Sequence, residues 1–409
     1  MPLPILPPID LLLLASLVLV CVLSLTRAAT AASAAPAATI AAGLTAAIIW
    51  RLAGGPVATP DLSAGLASAG LAVLGFASAA QVRASRFAPR SPISFKLTLA
   101  AAPIYFLACA LTAFIMLPHI SFPAALLLGA ALMLNGAAFD RQLIATTSAP
   151  KAVRSVVRAE SAAVIALGVP AAVLATGYAT AASPSEPALG PLLSAALGLL
   201  NGFAFGGVLG LLAARTPSRL KALRLAGAPA APCLAAILAF IAAPYLGANA
   251  IIAATAVGLL WGEQTDGTSS DRRILRRRAE RLVMPAAYFG FGVVLAPRLF
   301  EADLLSLFFA IAAATVLRAG PRLAVLQNAD FPRASQNFLA WYGGAPGAAT
   351  ALFLMTLVGN PAIVDAEGVL TIGALSVVAG VVIARVSAKP LVASFLKETA
   401  IARRRIRPA

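Results

Sequence analysis

One feature repeats along this chain and constrains it more than any other. Apolar runs of about twenty residues recur from end to end, each long enough to cross the hydrocarbon core of a bilayer as an α-helix. About thirteen such segments can be placed, near residues 9–26, 31–50, 62–81, 95–117, 121–143, 154–178, 188–214, 228–246, 248–262, 281–300, 304–324, 338–358 and 367–387. With 60% of its residues hydrophobic and 11% charged, the chain has too few charges to cover a water-soluble protein of 409 residues. Alanine and glycine abound inside the runs, and small residues let membrane helices approach closely. The expected fold class is therefore an all-α integral membrane protein. It would have one transmembrane domain over residues 1–397 and a short, basic, disordered tail over 398–409.

A net charge of +16 would suit a nucleic-acid binder, but its placement points elsewhere. Basic residues follow every odd-numbered segment: Arg27, then Arg83 to Lys96, Arg141 to Arg158, Arg215 to Arg224, Arg272 to Arg281, Arg318 to Arg333, and Arg385 to Arg407. The intervening loops carry acids, among them Asp61, Glu186, Glu301, Asp303, Asp365 and Glu367. This alternation is the positive-inside rule applied loop by loop. It excludes nucleic acid as a partner and predicts a multi-pass protein of the cytoplasmic membrane, with its N-terminus outside and its C-terminus in the cytoplasm. The lipid bilayer is then a partner, and an anionic-lipid patch at Arg276 to Arg278 is a second reading of the densest run. No basic residue precedes the first apolar run, unlike a cleaved signal peptide, so that run is read as a retained helix.

The chain offers little for enzymatic chemistry. Cys21, Cys109 and Cys233 lie far apart within apolar runs, and His119 is the single histidine. No metal-ligand spacing, nucleophile triad or phosphate-cradling loop is present, so no metal, cofactor or enzyme activity is expected. Gly206, Gly207 and Gly210 sit in a continuous apolar run, where close helix packing explains them.

Two runs are interrupted by clustered turn formers. The fifth carries Asn135-Gly136. The twelfth carries Gly343-Gly344-Ala345-Pro346-Gly347. Proline lacks an amide donor and glycine is a poor helix former, so both runs are expected to unwind there. Seven segments separate them, so they traverse the membrane in opposite senses. Discontinuous helices at matching places in two oppositely oriented halves point to an inverted-repeat transporter with a midplane site.

Around these breaks lie Gly129-Ala130, Pro150-Lys151 and Glu160-Ser161, and downstream lie Leu317-Arg318 and Trp341 to Ala348. This set, ungapped across segments five and six, resembles the NhaP-like monovalent cation:proton antiporters of the sodium/hydrogen exchanger family. The resemblance implies an antiporter fold of about 13 helices, secondary active exchange of a sodium-like cation for protons, and a homodimer. It also implies places where this chain departs. The family's Thr-Asp falls on Asn135-Gly136, its Asn-Asp on Val164-Ile165, and an arginine of its twelfth helix on Pro346. The family's ion-binding carboxylate is thus replaced by an apolar side chain.

Other groups must then carry any ion chemistry. Glu160 lies one helical turn before Val164, and Asp140 one turn after Gly136, so both are candidates for the ion or proton site, with Ser161 and Asn135 as neutral ligands. Arg158 and Arg318 are the expected basic partners. The alternative for Asp140, Arg141, Arg154, Arg158 and Glu160 is an ion-pair network at the cytoplasmic rim. For the whole chain, the alternatives to antiport are a carrier for another solute and a non-transporting scaffold or sensor that retains the fold.

Overall fold

The computed structural model describes residues 36–52, 60–90, 92–134, 151–181, 189–216, 223–225, 227–264, 269–329 and 331–406. In hydrocarbon every backbone N–H and C=O must be satisfied within the protein, and long apolar runs meet that demand by becoming helices. The chain follows this rule. Its helices are α1 (Pro36–Leu52), α2 (Pro60–Ala79), α3 (Ala84–Arg90), α4 (Pro92–Lys96), α5 (Ala102–Met116), α6 (Phe122–Met133), α7 (Lys151–Ala181), α8 (Leu189–Ala214), α9 (Ala230–Ala242), α10 (Ala250–Gln264), α11 (Ser269–Val294), α12 (Leu304–Ala314), α13 (Val316–Leu326), α14 (Arg333–Tyr342), α15 (Ala348–Thr356) and α16 (Ala366–Ile406). A π-helical turn, Leu97–Ala101, joins α4 to α5. The described strands are a two-residue hairpin, Arg224–Leu225 against Ala228–Pro229, turned by Gly227 at φ 79°.

Among the described residues, six stretches are long and apolar enough to cross a membrane: Leu62–Ala79, Pro92–Met116, Ser155–Ala181, Gly190–Ala214, Leu304–Leu326 and Ala366–Ala384. Shorter apolar helices lie between them. The first expected segment, residues 9–26, falls outside the described residues. One expectation is corrected at the other end. The basic stretch after Ala400 continues α16 as helix to Ile406 instead of forming an irregular tail. Its Ala, Ile and Arg residues carry no helix breaker, and alanine and arginine are strong helix formers.

Two sets of helices pack against each other. In the first, α1, α2, α8, α9, α10 and α11 meet through glycines. A Cβ on Gly206 would overlap the Ala253 carbonyl, and one on Gly210 would stand 2.7 Å from the Val257 carbonyl. Across α10, a Cβ on Gly262 would stand 2.6 Å from the Ala80 carbonyl. These four-residue glycine spacings bring backbones into contact, as bilayer packing favours. In the second set, α5, α6, α12, α13, α14, α15 and α16 surround the interrupted twelfth segment, with α7 lying between the sets.

Candidate functional site

The twelfth segment breaks as its composition requires. Helix α14 ends at Tyr342, α15 begins at Ala348, and the five residues between are extended or turned. Gly344 has φ 71°, a left-handed conformation that disfavours any side chain. The break leaves the Trp341 carbonyl at the end of α14 without a helical partner in the protein interior. Two arginines one turn apart on α13 bond this helix end. Arg318 Nη2 donates to the Trp341 carbonyl at 2.6 Å, and Arg322 donates to the Leu339 carbonyl, which also accepts from the Gly343 amide at 3.1 Å, through Nη2 at 2.9 Å and Nε at 3.3 Å. Cations at a helix C-terminus also complement its dipole. The Arg322 guanidinium fills the space where a Cβ of Gly343 would stand, so a side chain at residue 343 would have to displace it.

Arg322 has a third partner. Its Nη2 donates to Glu160 Oε2 at 2.8 Å and its Nη1 to Glu160 Oε1, a two-pronged ion pair spanning 162 residues of sequence. Both groups are buried, Glu160 at 2% and Arg322 at 4% exposure. Burial of this kind is tolerable because each charge meets the other and the guanidinium also donates to the Leu339 carbonyl.

The break also touches the sixth helix. Gly347 N donates to Thr350 Oγ1 at 3.4 Å, and Thr350 Oγ1 donates to the carbonyl of Leu134, the residue after α6 ends. Thr350 therefore joins the start of α15 to the end of α6, so the interrupted twelfth segment meets the described end of the fifth.

The expected site residues sort as follows. Glu160 and Ser161 are both buried on α7, beside the break. Gly343, Gly344, Pro346 and Gly347 form the break itself. Asn135, Gly136 and Asp140 lie outside the described residues, so α6 is seen only up to the point where its run was expected to unwind. Val164 and Ile165 are buried and apolar. The partners of Glu160 need correction. Its carboxylate is bonded by Arg322, not by Arg158 or Arg318. Arg158 is exposed and offers its backbone carbonyl to Arg276 Nη1 at 3.0 Å, because residues two apart on a helix point to different sides. Arg318 is occupied by the α14 terminus. Asn201, on α8, donates to the Gly247 carbonyl at 3.4 Å.

Arg322 is the functional residue that sequence reasoning missed. The signal was available: Arg318 and Arg322 stand four apart in an apolar run, so both present to one neighbour. A cavity of about 260 Å³ opens between α2, α11 and α15, lined by Leu66, Val73, Val283, Phe289, Leu352 and Met355 among others. It contains no titratable side chain, so it is no proton path. Among the described residues no cluster of metal ligands is present.

Three comparisons bear on this arrangement. A family model described as "Sodium/hydrogen exchanger, transmembrane" matches residues 13–394. The structure is similar to that of the sodium proton antiporter MjNhaP1 from Methanocaldococcus jannaschii at pH 8, with a TM-score of 0.70 and 16% identity, covering 94% of this chain and 99% of that one. It is similar also to the electron-microscopy structure of the same antiporter, with a TM-score of 0.65 and 15% identity, covering 95% and 98%. No curated protein matches the sequence. At these identities the structural likeness establishes the antiporter fold.

Proposed function

The chain belongs to the sodium/hydrogen exchanger family, and from that premise we propose that it exchanges a monovalent cation for protons, with Glu160 as the titrating carboxylate and Arg322 as its resident counter-ion. One observation carries this reading: a buried carboxylate sits against the break between α14 and α15, held by a single guanidinium. Antiport needs one anion for which proton and metal ion compete. Here the guanidinium is a third competitor. A proton arriving on Glu160 removes the charge that Arg322 pairs with, and Arg322 keeps its bonds to the Leu339 carbonyl. A metal ion must likewise displace the guanidinium from the carboxylate. Ser161 and Thr350 bring hydroxyl oxygens to the same region, and neutral oxygens complete the shell of a monovalent cation. The reading includes a cytoplasmic-membrane location, an outside N-terminus, a cytoplasmic C-terminus and a homodimer. It treats 1–397 as the transport domain and 398–409 as a cytoplasmic extension of the last helix.

Dissipation of a pH gradient in everted vesicles, scanned over sodium, lithium and potassium, tests the proposal. Wild type responds to at least one cation, and Glu160→Gln abolishes the response while leaving expression intact. If wild type responds and Glu160→Gln is indifferent, Glu160 is not the carrier. If no cation elicits a response, exchange itself is the wrong activity.

A second reading rests on Val164 and Ile165. Both are buried where the family resemblance places a polar pair with the ion-binding acid. Their apolar surface suits a carrier of another solute, or a scaffold that keeps the fold without exchange. Val164→Asn combined with Ile165→Asp restores the pair. A sodium response gained by the double variant over a silent wild type favours this second reading.

A further inference from the structure

The apolar run Leu304–Leu326 is long enough to cross the membrane as one helix, and Thr315 within it is no strong helix breaker. The structure nevertheless breaks the run there. Helix α12 ends at Ala314, α13 begins at Val316, and Thr315 between them has φ −123° and ψ −92°, outside the helical region. The last carbonyls of a helix lack intrahelical partners, and within a membrane they must find others in the protein. Thr315 itself serves two of them. Its amide donates to the Ala312 carbonyl at 3.2 Å and its Oγ1 to the Ile311 carbonyl at 2.6 Å. The Ala313 carbonyl accepts from another helix: Tyr105 Oη of α5 donates to it at 3.1 Å.

Tyr105 is buried, at 4% exposure. A buried tyrosine hydroxyl needs a partner wherever it lies, but this one has found a carbonyl at the end of a helix broken within its span. The path of α5 explains how it gets there. The π-helical turn Leu97–Ala101 packs against both α7 and α13. Such a turn inserts one extra residue into a helix, which rotates everything beyond it by about 100°. Tyr105 follows that turn directly, so the turn sets the direction in which α5 presents the hydroxyl.

The break matters because of what α13 carries. Its first turn starts from the Thr315 carbonyl, which accepts from the Ala319 amide at 2.8 Å. Arg318 and Arg322 follow, both buried and one turn apart on one face. Pro321 has no amide to give the Leu317 carbonyl, so α13 is loosened along its own length as well. An unbroken helix would impose the phase of α12 on both arginines. With the break, their direction depends on the contacts that hold Thr315 and its neighbours.

We propose that Tyr105 is a positioning residue for the exchange site. Its hydroxyl holds the break at Thr315 in the geometry that brings Arg322 onto Glu160 and Arg318 onto the Trp341 carbonyl. It acts through α13, not by binding the ion. Without it the guanidinium holds Glu160 less firmly, and a competitor of the cation is weakened. The transport consequence rests on the exchange reading, while the effect on the ion pair stands apart from it.

Tyr105→Phe removes the hydroxyl and keeps the ring, and two measurements on the full chain test the proposal. The first is a double-mutant cycle in thermal unfolding, Tyr105→Phe against the neutral pair Glu160→Gln with Arg322→Gln. Tyr105→Phe lowers the midpoint less when the pair is already neutral than in wild type. The second is exchange in proteoliposomes with whichever of sodium, lithium and potassium wild type transports. The half-saturating cation concentration falls about two- to tenfold, the worth of one hydrogen bond, and the maximal rate changes less. Thr315→Val, which removes the other hydroxyl at the break with little change of shape, moves both readings the same way. Tyr245→Phe, at an 88% exposed tyrosine, moves neither. Additive midpoints overturn the proposal, because a merely structural hydroxyl costs stability without coupling to the pair. An unchanged half-saturating concentration overturns it too. If wild type exchanges no cation, the exchange reading fails and the cycle alone decides whether Tyr105 positions the pair. If Tyr105→Phe does not fold, Thr315→Val carries both measurements.

Discussion

The break between α14 and α15 and the glycine-packed seam of α2, α8 and α10 sit in one membrane protein but are held by opposite means. At the break, the Trp341 carbonyl has lost its helical partner and Arg318 takes it, while Arg322 bonds the Leu339 carbonyl and pairs with Glu160. At the seam the helices run unbroken through the contact, and glycines leave room for backbones to touch. The first arrangement is polar, directional and intolerant of losing a member. The second is apolar and intolerant of gaining an atom. The comparison teaches where chemistry can live: a site able to bind and release ions needs groups with exchangeable partners, and of these two regions it is the break that has them among the described residues.

The largest expected effect tests the polar half. Arg322→Ala leaves Glu160 buried without its cation and costs about 3–5 kcal/mol of stability, read as the midpoint of thermal unfolding in detergent. Glu160→Gln added to Arg322→Gln should cost less than the two single changes summed, because the pair fails as a unit. Additive losses would show that the two side chains do not depend on each other, and the contrast with the seam would weaken.

The apolar half predicts a smaller loss of opposite origin. Gly206→Ala adds one methyl group against the Ala253 carbonyl, and overpacking of this kind costs about 1–3 kcal/mol. Gly207→Ala, whose Cβ would meet only Leu260 Cγ at 3.8 Å, should be close to neutral. The same thermal measurement on both variants checks the difference. Equal losses would mean that the contact with the Ala253 carbonyl is not what governs the seam.

The smallest effect sharpens the comparison by moving a helix end into water. Asp303 caps α12 by accepting from the Ser306 amide at 2.9 Å. It does for an exposed N-terminus what Arg318 and Arg322 do for the buried C-terminus of α14. Asp303→Ala should cost about 1 kcal/mol. The hydrogen bonds from Ser306 hold the Asp303 carboxyl below the usual aspartate range. Its folded pKa is thus depressed. The contribution is complete above the unfolded aspartate value, about 3.9, and is lost as pH falls through the lower folded value. Stability curves of wild type and Asp303→Ala should therefore be separated at neutral pH and converge in acid.

Much of the fold was legible in the sequence, and particular residues show why. Gly343 to Gly347 announced an interruption because glycine and proline act on their own backbone, whatever surrounds them. The glycines of α8 announced close packing, since a missing side chain matters in any membrane helix. Glu160 stood out because an acid in an apolar run is costly wherever it is placed. Its partner did not. Arg158 and Arg318 looked suitable by proximity or motif, yet Arg322 holds the carboxylate from 162 residues away.

Local chemistry therefore determined the class, the alternation of loops, the place of the break and the identity of the buried acid. These follow from hydration, helix propensity and the absence of water in hydrocarbon, which act residue by residue. The tertiary structure decided which guanidinium meets Glu160, which carbonyls of α14 are taken, that Thr350 joins α15 to the end of α6, and that Tyr105 of α5 takes a carbonyl of α12. Each depends on the rotation and depth of one helix relative to another. A sequence sets the pattern on each helix, but only packing sets the phase between them.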